Sequence, residues 1–340
     1  MSDVKPKRER KRTLKTWSAF GDLGRRPSEY EIVTHNLNHT TGPAGLEMGP
    51  DVHGNVWLRE HRDSMKVTVP DWDAFRDPDA MTYNVYVGGQ DDQETYVEGL
   101  LEQFDEAGHD ENLSPEARAL LFRAFTPSRF LAHGLQMLSA YVQQLAVSSY
   151  VSNCAVFQTA DMLRRLQTTA YRTKQLQLTH GDAQANGDRW HWEGNPLWQP
   201  FRKAVELALV EYDWDRAFVI TNLVIKPVTD LLTLGEVSRQ AAHLGAQLDA
   251  QVLENLYRDS RRSQRWTSAL VDFLIAENAD NQAILQGYLD EFAPLAEEII
   301  AAGAELIAVD GGRSAEQIAT AAREQWSNLL VPLELRLGDK

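Results

Sequence analysis

The chain has 340 residues, is 43% hydrophobic and 24% charged, and carries a formal net charge of −15, a composition suited to a packed protein of one large domain or two ordinary ones. That acidic balance argues against general nucleic-acid binding, because duplex affinity rests on neutralising phosphates with Lys and Arg. No run of about 18 apolar residues occurs, and the start MSDVKPKRERKRTLKTW has no apolar core behind its charges, so neither a membrane span nor a secretory signal is expected and the cytoplasm is the expected address.

The single cysteine, Cys154, lies in an apolar, helix-like stretch with no histidine or cationic cluster nearby, which reads as a buried, inert thiol in a reducing compartment. Charge is unevenly distributed. Residues 1–15 hold Lys5, Lys7, Arg8, Arg10, Lys11, Arg12 and Lys15 against Asp3 and Glu9, a local charge of +5. An arm docking on an acidic partner subunit suits this segment better than an RNA or membrane contact, given the acidic remainder.

Residues 1–93 lack a sustained helical period and are rich in Pro, Gly, Asn, Asp and Thr, as in HTTGPAGLEMGPDVHGN, which predicts an extended arm with short local structure. Its aromatic residues, Trp17, Phe20, Tyr30, Trp57, Trp72, Phe75, Tyr83 and Tyr86, need a covering surface, either the body of the chain or partner subunits. From residue 94 to 340 helix signals dominate. Gln93 to Ala107 reads as a helix stopped by Gly108, and Ser114-Pro115-Glu116 reads as the cap, first-turn proline and first-turn acid of another reaching Phe125.

Ser128 to Thr179 contains no proline and only Gly134, and as one helix would extend about 78 Å. A break near Ser148 to Asn153 is therefore expected, giving two antiparallel helices. Asp182 to Asn195 reads as a loop bearing Trp190 and Trp192, and Pro196 to Tyr212 as helix. Asp213-Trp214-Asp215 is expected to cap a helix over about 215–238 that bends at Pro227. Further helices are expected near 240–276, 279–302 and 314–331. Two consecutive pairs of long helices point to an all-α four-helix bundle with flanking helices.

Such a bundle can hold two irons through a Glu on each of two helices and a Glu-x-x-His pair on each of the other two, because the i, i+3 spacing turns both ligands inward. Here the only such pair is Glu106-Ala107-Gly108-His109, which runs into a glycine and has no second copy. His35 and His39 are four apart in the irregular arm, without the Glu that a zinc peptidase uses as base. His133 and His243 read as packing or interface residues, and His180 and His191 flank the loop. No G-x-S-x-G, glycine-rich phosphate loop or G-x-G-x-x-G is present. No catalytic, cofactor-binding or metal-binding residues are therefore assigned to this chain.

Two segments carry a resemblance: Arg26-Pro-Ser-Glu-Tyr-Glu-Ile-Val33, followed by Leu37, His39 and Thr40, and Trp214-Asp-Arg-Ala-Phe-Val-Ile-Thr-Asn-Leu-Val-Ile-Lys-Pro227. Together with the order of arm and helices, they resemble the β subunit of the hydroxylase component of bacterial multicomponent soluble di-iron monooxygenases, the toluene, phenol, alkene, isoprene and methane monooxygenase family. The resemblance implies a ferritin-like (ribonucleotide-reductase-like) helical bundle behind a long N-terminal arm that packs on partner subunits. It also implies a non-catalytic scaffold within an NAD(P)H-dependent monooxygenase that inserts one O2-derived oxygen into an aromatic or alkene hydrocarbon.

The implied partners are a hydroxylase α subunit with the non-haem di-iron centre, a γ subunit, and a second β subunit in a dimer of αβ or αβγ units, served by regulatory and electron-transfer components. Asp161-Met-Leu-Arg-Arg165 and Arg258-Asp-Ser-Arg-Arg262 lie 97 residues apart. They resemble the Asp-Glu-x-Arg-His segments of the α subunits, which would put Met162 and Asp259 where glutamates belong and Arg165 and Arg262 where histidines do. Fixed positive charge there would repel Fe²⁺, with Asp161 or Asp259 as counter-charge. Two rival readings are a ferritin-like oxidase using atypical ligands such as Asp161, Asp259, His133 and His243, and a free-standing helical module that binds an anionic partner through its basic arm.

Overall fold

In the computed structural model, residue 20 and residues 23–37, 51–181 and 187–338 are described. Among them there is helix and no strand. The helices are α1 (Glu29–Thr34), α2 (His53–His61), α3 (Tyr83–Glu106), α4 (Pro115–Leu120), α5 (Ser128–Gln144), α6 (Ser149–His180), α7 (Gly187–Gly194) and α8 (Gln199–Ala208). A composite helix α9 spans Trp214–His243. After it come α10 (Gln247–Glu277), α11 (Asp280–Ile307) and α12 (Ala315–Leu330).

The core is two helical hairpins, α5 with α6 and α9 with α10, against which α3, α8, α11 and α12 pack. The break inside the long proline-free stretch falls at Leu145–Ser148, slightly before its expected place. Ser148 opens α6 by accepting from the Val151 N–H, and Ser114 opens α4 by accepting from that of Ala117.

Two expectations are corrected. The helix expected from Gln93 begins at Tyr83, capped by Thr82, so the arm–body boundary at residue 93 falls inside it. Period counting missed its first turns because Gly88, Gly89 and a run of polar residues dilute the apolar stripe of Tyr86, Val97 and Leu100. Gly187–Gly194, within the expected loop, is helical. The described parts of the arm also pack on this chain's own body.

The rings set that packing. Trp72 meets Trp214 edge-on at 5.7 Å between centroids, Phe75 packs on Phe273, Tyr30 on Tyr150, and Tyr86 stacks on Phe157 at 4.4 Å. Burying such rings intramolecularly satisfies the hydrophobic driving force without a second chain. Polar residues of the arm serve the same end within this chain. Ser28 and Glu31 form a capping box on α1, and Arg25 and Arg76 both reach Glu31. Trp17, His39 and Thr40 lie outside the described residues, as does the basic segment 1–15; Tyr83 is exposed.

The apolar middle of helix α9 is buried. Pro227 does interrupt its regularity, but as two π-helical turns, Val219–Ile225 and Leu231–Glu236, on either side of an α-helical turn Lys226–Asp230. Proline has no N–H for the carbonyl four residues back, and its ring crowds that carbonyl; a widened turn makes room. The freed carbonyl is that of Leu223, which accepts instead from the Trp326 indole N–H at 2.7 Å. Asp213 does not cap α9 with its side chain. Asp215 ties arm to body, accepting from the Lys66 and Val67 N–H groups and the Tyr288 hydroxyl.

Candidate functional site: the buried polar clusters of the bundle

Helices α6, α9 and α10 bring charged side chains into the interior, where an unpaired charge is prohibitive. They form two clusters. In the first, Asp230 of α9 lies between two cations: Arg165 Nη1 donates to its Oδ1 at 2.8 Å, and Lys226 Nζ to its Oδ2 at 2.5 Å. Ser260 of α10 donates to Asp230 Oδ2 at 2.6 Å, and Arg165 Nη2 donates to Thr233 Oγ1 at 2.7 Å. The side chains of Arg165 and Asp230 are each 1% exposed. Burial opposes the charge of Asp230, yet Lys226 and Arg165 outweigh it and hold the carboxyl below its ordinary pKa.

The second cluster joins α6 and α10 to α3. Asp161 Oδ1 accepts from Tyr86 Oη at 2.9 Å, from Gln90 Nε2 at 3.2 Å and from Arg262. Gln90 Nε2 also donates to Asp259 Oδ1 at 3.1 Å, and Arg164 Nη1 to Asp259 Oδ2 at 2.8 Å. Arg164 further reaches Glu94 and Asn255. Here carboxylates crowd one another. Burial, then the charge of Asp259, pushes the Asp161 carboxyl up to about 7, against the pull of Arg262.

A third, uncharged layer crosses the bundle through all four helices. Gln158 Nε2 donates to Asn222 Oδ1 and Asn222 Nδ2 to Gln158 Oε1, each at 3.2 Å. Ser139, Thr267 and the Trp266 indole complete it. Thus Asn222, a polar interruption in an apolar run, is hydrogen-bonded on both sides of its amide.

The sequence-predicted positions separate. Arg165 joins the Asp230 cluster; Asp259 and Arg262 join the Asp161 cluster; Met162 is 2% exposed among core hydrophobics. Arg165 and Arg262 share no hydrogen-bonding partner among the described residues. Asp161 does serve Arg262 as counter-charge, but the partner of Arg165 is Asp230, which sequence reasoning missed. Its signal was legible in retrospect: Lys226 and Asp230, four apart in an otherwise apolar helix, can only be tolerated as a buried pair.

The histidines stay apart from both clusters. His133 contacts Gln136 on an exposed face, His243 is exposed, and His109 leaves Glu106 to pair with Asp110 and pack edge-on against Phe104. The oxidase ligand set Asp161, Asp259, His133 and His243 is therefore not assembled. Among the described residues, no group of three or more His, Cys, Asp or Glu side chains is placed to hold a metal ion. A di-iron centre does not fit these donors. Lys226 and Arg165 already pair with Asp230, and Arg262 with Asp161, and they contribute fixed positive charge.

Known proteins agree with this architecture. The model of the Methane/Phenol/Alkene Hydroxylase family matches residues 57–278. The chain is 38% identical over 305 residues to the hydroxylase component subunit beta of the toluene-4-monooxygenase system of Ectopseudomonas mendocina, covering 89% of this chain and 93% of the relative. It is 26% identical over 314 residues to a phenol 2-monooxygenase oxygenase component of Pseudomonas sp. (strain CF600), covering 87% and 91%.

Among solved structures, a chain of toluene 4-monooxygenase with toluene in its resting active site superposes with a TM-score of 0.82 at 38% identity, over 88% of this chain and 99% of that one. Phenol hydroxylase from Pseudomonas sp. OX1, with a TM-score of 0.83 at 23% identity over 100% and 99% of the two chains, shares the fold. The family match over most of the chain, together with the near full-length identity to a β subunit, establishes that this chain belongs to the methane/phenol/alkene hydroxylase family and is a β subunit of the hydroxylase component of a multicomponent di-iron monooxygenase.

Proposed function

We propose that this β subunit performs no oxygen chemistry and acts in the cytoplasm as the scaffold for an α subunit that holds the non-haem di-iron centre. The hydroxylase so formed inserts one O2-derived oxygen into a hydrocarbon at the expense of NAD(P)H. An aromatic substrate is favoured, since the relatives most like this chain are named for toluene and phenol. The assembly is a dimer of αβ or αβγ units with a second β subunit at the centre, served by regulatory and electron-transfer components.

In this reading Met162, Arg165, Asp259 and Arg262 stand at positions equivalent to the α subunit's ligands. The observation that carries it is the Asp230 cluster. Arg165 and Lys226, 1% and 3% exposed, fill the bundle interior with fixed positive charge balanced by a single carboxylate. This is structural use of space that a catalytic bundle would give to metal.

Purification of the chain with and without its α subunit tests the proposal. Iron and NAD(P)H-dependent hydroxylation are expected only when α is present. Stoichiometric iron or turnover with this chain alone would overturn it.

A further inference from the structure

Three buried polar atoms of the Asp161 cluster have no hydrogen-bonding partner among the described residues: Asp161 Oδ2, Gln90 Oε1 and Arg262 Nε. Two of them are acceptors, and a buried acceptor without a donor is destabilising. The Gln90 amide cannot relieve this by turning over. Its Nε2 donates to Asp161 Oδ1 at 3.2 Å and to Asp259 Oδ1 at 3.1 Å, so the reversed amide would aim its oxygen at two carboxylates. Arg262 donates through Nη2 to Asp161 Oδ1, and its Nε does not serve Oδ2. Oδ1 is thus crowded by donors from Tyr86, Gln90 and Arg262, whereas Oδ2, on a side chain 0% exposed, has none.

Charge points the same way. The titratable and charged groups of the cluster are Tyr86 and Glu94 of α3, Asp161 and Arg164 of α6, and Asp259 and Arg262 of α10. Asp77, in the segment before α3, lies within the field of Arg262. Arg164 is divided between Glu94 and Asp259, and Arg262 between Asp161 and Asp259, so carboxyls outnumber cations. Arg165, one turn on from Asp161, is committed to Asp230. Keeping one buried carboxyl neutral removes the least compensated charge from the interior. A neutral carboxylic acid presents an O–H beside a C=O, as an amide presents an N–H beside a C=O, so the two can pair through two parallel hydrogen bonds.

We propose that Asp161 carries a proton on Oδ2 and donates it to Gln90 Oε1, closing an acid–amide pair with the Gln90 N–H already given to Oδ1, and that this pair is a pH-sensitive latch holding residues 83–94 of α3 on α6. The proton gives both orphaned acceptors their bond. Its loss sets two acceptor oxygens against each other and adds an uncompensated charge. Because burial and Asp259 raise the Asp161 carboxyl to about 7, the latch is closed at pH 6 and weakened at pH 8. Tyr86 and Gln90 also line the groove of about 810 Å³ between α3 and α6, which gives the proton a path from solvent. Asn153 Nδ2 still holds the Met81 carbonyl just before α3 at 2.9 Å, so opening is local.

Difference infrared spectra of the intact hydroxylase, unmodified minus Asp161→Asn, read the proton directly. A protonated-carboxyl band is expected at pH 6 and its loss at pH 8; absence of that band at pH 6 overturns the proposal, because Asp161 is then ionised. Hydrogen exchange reads the latch. Corrected for intrinsic rates, residues 83–94 should exchange about tenfold faster at pH 8 than at pH 6, the ratio set by a carboxyl that titrates at about 7 when closed and at about 3.9 when open. In Asp161→Asn the new amide supplies the same donor at every pH, so exchange should be slow and independent of pH. Gln90→Leu removes the acceptor, so exchange should be fast and independent of pH. A pH response that persists in either variant, or its absence from the unmodified protein, overturns the latch.

Discussion

The Asp230 and Asp161 clusters contain the same side-chain types, share helices α6 and α10, and drive their carboxyls in opposite directions. Asp230 receives two cations and the Ser260 hydroxyl, so it stays ionised despite complete burial. Asp161 faces Asp259 across Gln90, with Arg262 divided between them, and its carboxyl rises to about 7. Burial is common to both. Local charge balance makes the difference, and it turns one cluster into a rigid tie and the other into a group that takes up a proton near neutrality.

The largest effect should come from breaking that balance at the bundle centre. Asp230→Ala leaves Arg165 and Lys226 buried without their counter-charge, a loss of about 3–5 kcal/mol, which is comparable with the whole stability of many domains. Denaturant midpoints of the assembly, or loss of soluble protein, report it. Replacing the cluster together, Arg165→Met, Lys226→Met and Asp230→Leu, should restore most of the stability, because well-packed apolar groups can replace a buried ion cluster. Failure of that rescue would show that the cluster does more than fill space.

The turn that carries Lys226 and Asp230 depends on a remote side chain. Trp326→Phe removes the indole N–H that reaches the Leu223 carbonyl, and an unsatisfied buried carbonyl costs about 1–3 kcal/mol. A lowered thermal midpoint with unchanged helical circular dichroism is the expected signature.

For Asp161 the sign is set by its raised pKa. The folded state binds the proton more tightly than the unfolded chain, so stability from this group is fully present below the unfolded carboxylate pKa of about 3.9. It falls as pH rises and is lost by about 7. Asp161→Asn abolishes the titration. Its thermal midpoint relative to the unmodified protein should therefore be more favourable at pH 8 than at pH 5; a pH-independent offset in calorimetry would contradict the assignment.

The smallest effect is expected from restoring ligand-like residues. Met162→Glu with Arg165→His should bind no stoichiometric iron and oxidise no substrate, since Lys226 remains buried against Asp230 and Arg262 against Asp161. Iron analysis and product detection check both statements.

Much of the architecture was legible before any coordinates. Ser114-Pro115-Glu116 marked a helix start because a hydroxyl cap and a first-turn proline satisfy or dispense with orphan N–H groups. The lack of proline from Ser128 to Thr179 predicted two long antiparallel helices, because one would be too long for the body. Less was legible of the interior. The doublets Arg164-Arg165 and Arg261-Arg262 announced charge on long helices, but sequence spacing did not reveal that Arg165 turns to α9 and Arg262 toward α3.

The sequence alone determined an all-helical chain, its resemblance to the hydroxylase β subunits and the lack of a repeated Glu-x-x-His pattern, since these are properties of local period and residue type. Only the tertiary structure decided that Trp72, Phe75 and Tyr86 pack on the chain's own body, that Asp230 is the partner of Arg165, and that Asp161 is driven toward protonation. Those outcomes depend on side chains from different helices meeting at 3 to 6 Å in a low-dielectric interior, where pairing and desolvation outweigh every local preference.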